Sequence, residues 1–406
     1  MWSESNGLMA LLGVGFLIAA VGSSVLKRGA FTHGGILFFL LGVSLGPLGL
    51  STFNPEALTS FDPIISVLVG WIGLQCGLAL TVRKDGGLID GAVRTGLVYT
   101  FISVTALGTI CWVCLETLFP NALPAERTLL AVAALTGSAL AASPRVIRLV
   151  GKEVHATGLV TRSGESLARV VRVTAIIVLA VAMAFHDRPT PEGLNDLAPT
   201  EWLLGEVLLG LALGLLADAF IGGEATKNRL IATLAATSLF TTGLAWEFGL
   251  TPLTLNLVTG LTLANFGQRK AEEHRSFTQL ENPLFYVLLV LVGVTWQMPT
   301  EMVIPILGIA LVALRVGILS IAGTVAGRAI DPTRPGLRRL GLVTIGQGGP
   351  ALAIALTYTT LAEPWASHGV LTIVLVSVLL NDLWAAAAAR VVLDEAGEIP
   401  TLVPEA

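Results

Sequence analysis

Long apolar runs separated by short polar loops dominate the chain. A helix needs about 20 apolar residues to cross the hydrocarbon of a bilayer. Thirteen runs near that length follow one another, at 7–26, 33–49, 58–80, 90–118, 127–149, 154–185, 200–221, 228–247, 251–266, 280–298, 302–328, 339–361 and 367–393. The pattern predicts an all-α membrane protein of thirteen transmembrane spans. Two of the runs are interrupted. In the fifth, LTGSALAASPRVIRLV (135–150), Ser143-Pro144 breaks an otherwise apolar stretch. Proline lacks the backbone N–H and clashes with the carbonyl one turn back, so the helix must unwind or kink there. The twelfth run carries the second defect, Gly346-Gln347-Gly348-Gly349-Pro350. Inside hydrocarbon such defects are tolerated only where protein or water satisfies the freed backbone groups.

Lysine and arginine mark the cytoplasmic loops of a membrane protein. With the N-terminus outside, eighteen of the 24 fall in inward loops and helix ends, Arg83, Arg145, Arg269 and Arg390 among them. The outward loops hold Arg127 and Arg188 alone. This alternation needs an odd number of spans and a cytoplasmic C-terminus. Spans five and twelve are seven apart and therefore antiparallel, so the two halves are expected to form an inverted repeat in which two discontinuous helices cross. Secondary transporters place their sites at such a crossing. The expected organisation is a core of spans four to six (90–186) and eleven to thirteen (302–394). Spans one to three (1–80) and eight to ten (228–298) form a second bundle. The seventh span (200–221) links the two, and a short tail (395–406) ends the chain. Gly210 and Gly214 in the seventh span fit either close packing within the chain or contact between copies.

Composition adds little to this picture. The chain has 406 residues, 54% hydrophobic and 13% charged, with a net charge of -4. That suits a polytopic membrane protein and gives no reason to expect nucleic acid. Cys76, Cys111 and Cys114 lie in apolar runs and read as core packing rather than disulfide or metal ligands. No cofactor is implied. There is no metal-spaced cluster, phosphate loop or pair of catalytic carboxylates to suggest an enzyme. The first run has Glu4 and no basic residue before it, unlike a secretory signal, and the bacterial inner membrane is the default location.

Charges inside a bilayer are costly and point to function. Arg315, midway along the eleventh span, reads as a fixed positive charge that offsets the negative C-terminal ends of the half-helices. Its alternative role is to tie down backbone carbonyls for structure. In the sixth span Arg162, Glu165, Arg169 and Arg172 are spaced three, four and three apart, on one helical face. Glu165 can reach both Arg162 and Arg169, which leaves two positive charges in excess. Asp382 in the thirteenth span is the expected counter-charge, with a closed salt-bridge network as the alternative. At the crossing, Thr136, Ser138, Ser143 and Gln347 supply neutral oxygens, and Pro144 and Pro350 belong to the unwound turns. Carbonyls there suit a cation, whereas N–H groups at half-helix starts suit an anion. The residue types leave that choice open. Of the five histidines, His155 at the inner mouth of the sixth span is best placed to sense pH.

These segments resemble the cation/proton antiporter superfamily, the sodium/hydrogen exchanger type. The likeness runs through ILFFLLGVSLGPLGL (36–50), LTGSALAASPRV (135–146), SGESL (163–167), GLTPLTLNLVTGLTLAN (249–265), LENPLFYVLLVLVGV (280–294) and GLVTIGQGGPALAIAL (341–356). It implies a homodimer in which the core moves against a dimerisation bundle and exchanges Na+, K+ or Li+ for protons. The departures fall on the ion site. Ala142-Ser143-Pro144 stands where the family has a Thr-Asp-Pro or Thr-Asn-Pro turn, and Arg169-Val170 where it has Asn-Asp or Asp-Asp. The carboxylate that holds a cation and a proton alternately is missing from its usual place, while the basic residue of the eleventh span is kept as Arg315. An arginine beside the site repels a monovalent cation by several kcal/mol at an effective dielectric of about 20. The expected function is a monovalent cation:proton antiporter-like secondary transporter with a nonstandard site, in which Glu165 or Asp382 carries the proton. The alternatives are a transporter of anions or carboxylate solutes that uses Arg169, Arg172 and Arg315, or a non-transporting membrane sensor or scaffold.

Overall fold

The structure, a computed structural model, describes residues 34–49, 61–82, 91–120, 123–186, 198–221, 227–267, 281–299, 301–362 and 364–400. All regular structure among them is helical. The first expected span (7–26) and the last residues of the tail (401–406) lie outside the described residues.

Every later span meets a helix close to its expected bounds. These are α1 (Gly34–Leu45), α2 (Asp62–Leu78), α3 (Ala92–Leu118), α4 (Ala125–Leu140), α5 (Arg145–Glu153), α6 (Leu159–Ala184), α7 (Pro199–Ile221), α8 (Lys227–Glu247), α9 (Pro252–Phe266), α10 (Glu281–Thr295) and α11 (Val303–Ile330). A 3-10 turn (Pro335–Arg339) then leads to α12 (Leu340–Val343), α13 (Gly349–Thr359) and α14 (Pro364–Glu395). The fifth span is thus two helices, α4 and α5, and the twelfth is α12 and α13. Six of the segments are long and apolar enough to cross a membrane: α3, α4 with α5, α6, α7, α11 and α14. The protein is an integral membrane protein.

Burial follows what each helix can tolerate. In the α4–α5 segment 89% of the apolar window is enclosed by protein, against 28% for α3 and for α11. The outer helices present residues such as Phe101 and Ile321, 74% and 64% exposed, to their surroundings. A continuous helix satisfies its own backbone and can face lipid, whereas a broken one cannot. The break therefore sits at the centre.

Two packing groups emerge from the contacts. In one, α3, α4, α6, α11, α13 and α14 pack on one another; in the other, α2 packs on α8 and α9, α7 on α9, and α1 on α10. The groups meet chiefly where α13 touches α2. The α2–α9 contact is very close: a Cβ on Gly73 would lie 2.2 Å from the Leu253 carbonyl oxygen, and one on Gly260 2.4 Å from that of Leu74. Small residues allow this backbone approach where burial of apolar surface provides no drive. Gly210 and Gly214 of α7 are filled over by Val258 and Thr262 of α9, so the pair serves packing within the chain.

At its far end α14 turns through Gly397, whose φ of 68° is a left-handed conformation open to glycine. The turn delivers Glu398 to the start of α6, where its carboxylate accepts from the backbone N–H of Val160, from the N–H of Thr161 at 3.1 Å and from the Thr161 hydroxyl at 2.7 Å. α6 has no cap from its own first residues. Glu398 supplies one and answers the exposed N–H groups that every helix start leaves over.

Candidate functional site

The two interruptions face each other. α4 stops at Leu140, Ala141 is extended with φ -51° and ψ 123°, and α5 starts after Pro144. Opposite, the chain leaves the helix at Thr344 and re-enters it at Gly349, with Pro350 in the first turn of α13. Proline suits that first turn because its missing N–H would have no helical partner there. Gly348, between them, has φ 66° and ψ -157°, and a Cβ there would press on Ser143 at 2.9 Å. The Ser143 N–H donates to the Gly346 carbonyl at 2.7 Å. The Ser138 hydroxyl donates to the Ala351 carbonyl at 3.1 Å, and the Gln347 amide donates to the Ser138 carbonyl at 2.8 Å. Ser138, Ser143, Pro144, Gln347 and Pro350 therefore lie together at this junction. Thr136 is not: it turns towards α3, where its hydroxyl faces the Cys111 thiol.

Arg315 enters this junction from α11 and is fully buried. Its guanidinium donates to the carbonyls of Ala139 and Ile345, to that of Ala141 at 3.2 Å and to that of Thr344 at 3.3 Å. Two acceptors come from each break. The planar fork of an arginine offers five N–H donors, which one ammonium could not reproduce. Placed here, its charge offsets the negative ends of both α4 and α12. The neighbours complete the network. The Gln347 side-chain oxygen accepts from Ser377 at 3.0 Å and from Asn381 at 2.9 Å, and Tyr99 shares a 2.8 Å hydrogen bond with Thr344. The carbonyls of Ser138, Ala139, Ala141, Thr344, Ile345 and Gly346 each accept from a protein donor.

On α6, Arg169 pairs with Glu165 at 3.1 Å. The expected second partner differs, since the Arg162 side chain donates to the Gly158 carbonyl at 3.4 Å instead. Arg172 lies deeper, 1% exposed. Val170 packs against Gly96 of α3, where a Cβ would lie 2.5 Å from the valine methyl.

Asp382 meets a different charge from the one expected. Its carboxylate lies against Gly35 of α1 and faces Arg145 at the start of α5. The reason is packing: α14 lies on α5 and α4, whereas α6 lies on α3 and α4. Arg145 in turn donates to the Tyr286 hydroxyl and sits over the rings of Phe285 and Tyr286, 5.4 and 5.0 Å from their centres. It joins α5 to α10, across the two packing groups. A further polar region lies at the Asp62 end of the bundle. There a cleft of about 470 Å³ opens between α2, the α8–α9 turn and the ends of α6 and α13. Behind it the Glu206 carboxylate, 3% exposed, accepts from the Thr251 hydroxyl at 2.7 Å. Arg145 and Asp62 stand near span ends, where sequence alone reads an ionisable side chain as solvated; Glu206, the eighth residue of α7, is a charge inside an apolar span that the sequence reading missed.

The described helices thus form an all-helical bundle whose two interrupted segments meet around a buried arginine. Among solved structures, the sodium proton antiporter MjNhaP1 from Methanocaldococcus jannaschii, determined at pH 8, matches with a TM-score of 0.69 and 16% identity, over 96% of this chain and 100% of that one. A second structure of MjNhaP1, an electron-microscopy map, matches with a TM-score of 0.65 and 15% identity, over 97% and 99%. At this identity the likeness is one of fold. No family model and no curated protein sequence matches the chain.

Proposed function

We propose that this protein is a secondary active transporter that exchanges a monovalent cation for protons. In this reading the chain is an inverted repeat whose broken helices cross at the midplane, and the core of α3 to α6 and α11 to α14 moves against the remaining bundle. The supporting observation is the junction of the two breaks at Arg315, since secondary transporters build their sites where discontinuous helices meet. The ion site is nonstandard because Arg169-Val170 replaces the usual acid. Asp382 is the group that takes over. It stands where α5 and α14 meet α1 and α10, and a carboxylate that holds either a proton or a cation couples the two fluxes by competition. Arg145 balances the carboxylate when neither is bound. Glu165 is a weaker candidate, being tied to Arg169 at 3.1 Å. An anion carrier draws little support, because Arg315 directs its donors to four carbonyls and Arg169 serves Glu165. A homodimer, an outside N-terminus, a cytoplasmic C-terminus and the bacterial inner membrane belong to the same proposal.

The test is a proteoliposome with an internal pH dye. Addition of Na+, K+ or Li+ should drive a proton flux, and Asp382→Asn should abolish it while Glu165→Gln keeps a part. Silence with all three cations would discard the reading.

A further inference from the structure

We infer that the cleft at the Asp62 end is a binding site for a monovalent alkali cation, with Asp62 and Ser66 as its principal ligands. Its role as the first station of the transported ion rests on the exchange proposed above; its existence as a site does not. Asp62 is the first residue of α2, and Ser66 follows one turn later, so both side chains lie on one face. Among the described residues that line the cleft, Asp62 is the single charged group. No basic side chain competes for it. Ser66 is only 7% exposed and lines the same space, yet neither its hydroxyl nor the Asp62 carboxylate has a hydrogen-bond partner among the described residues. Asp62 is exposed at the mouth, and the Ser66 hydroxyl oxygen is open to the cleft rather than sealed within the protein.

The rest of the lining points the same way. Each threonine uses its hydroxyl proton inside the protein: Thr251 donates to Glu206 at 2.7 Å, Thr357 to the Ala353 carbonyl at 2.8 Å, Thr359 to the Leu356 carbonyl at 2.8 Å and Thr360 to the Thr357 carbonyl at 2.8 Å. A hydroxyl whose proton is committed still has an oxygen lone pair to offer. The cleft therefore presents acceptor oxygens around one carboxylate. Hard cations are held by oxygen ligands, and tight divalent sites collect several carboxylates. One carboxylate with neutral oxygens matches a single positive charge. The lining comes from both packing groups, with α2 and the α8–α9 turn on one side and Met183 of α6 and the end of α13 on the other. A cation held there would be felt by both.

The experiment measures binding separately from transport. The full chain in detergent is titrated with radioactive Na+ by scintillation proximity, with Li+ and K+ as competitors and choline keeping the ionic strength constant. The wild type should bind saturably. Asp62→Asn should weaken binding by about tenfold or more, because the carboxylate provides the main attraction, and Ser66→Ala should weaken it less. Asp62→Glu should restore most of the affinity. Wild-type affinity in Asp62→Asn, or no saturable binding of any of the three cations by the wild type, overturns the site. Binding that depends on Asp62 in a protein with no proton flux would leave the site standing and remove the exchange. Cation-driven flux with an unchanged KM in Asp62→Asn would do the reverse.

Discussion

The junction of the two breaks and the cleft at Asp62 are both polar regions within an apolar bundle, and they differ in how their oxygens are used. At the junction six backbone carbonyls accept from protein donors, four of them from Arg315 alone. At the cleft the threonine protons point inward and the Asp62 and Ser66 oxygens take no partner among the described residues. The first arrangement holds the breaks together, because an unsatisfied buried group costs about 1–3 kcal/mol. The second is ready to receive something positive. Under the proposed exchange, the helix breaks mark the moving parts, and the state of the hydrogen bonds marks where the cation would enter.

Four changes test that contrast. The largest effect is expected for Arg315→Leu, which strands four carbonyls at once and should destabilise the protein by more than about 4 kcal/mol. Loss of monodisperse protein in size exclusion would report it, and a wild-type melting temperature would break the contrast. Next comes the pair Arg145 and Asp382. Arg145→Met should lower stability, and the combination with Asp382→Asn should recover part of it, with a coupling of about 1–2 kcal/mol in a double-mutant cycle. Strict additivity would mean that the two side chains ignore each other. Glu398→Ala removes the cap of α6 and should cost about 1 kcal/mol, visible as a small drop in melting temperature. The smallest effect is none: in the Asp382→Asn background Val170→Asp should restore no cation exchange, since the neighbouring Arg169 neutralises the new acid and Gly96 of α3 already encloses the position. Vigorous Na+/H+ exchange regained by that double variant would refute the electrostatic reasoning about Arg169.

The breaks were legible because proline and glycine write a covalent signature into an apolar run; Pro144 and Gly348 fall where the helices part. Arg315 stood out as a lone charge at mid-span, and the two roles considered for it have merged, since the carbonyls it ties down belong to the half-helix ends. What surrounds each helix was harder to read. Asp382 pointed to α6 on paper because pseudo-symmetry pairs the sixth and thirteenth spans, but α14 packs on α5, and Arg145 became its neighbour. Thr136 lies two residues from Ser138, and the helical turn between them rotates it towards α3. Asp62 carried no signal at all. An acid in the first turn of a helix is the ordinary complement to the helix dipole, and the cleft that gives it meaning is assembled from the ends of helices far apart in sequence.

Glu398 leaves one practical consequence. Since its carboxylate is hooked onto the first amides of α6, the end of the chain and the helix that carries Glu165, Arg169 and Arg172 are tethered like a rope to a lever. A dye attached at Pro400 therefore rides with that lever, and under the proposed exchange its distance to a second dye at Ala198, ahead of α7, would follow each stroke of the core without disturbing a residue inside the membrane.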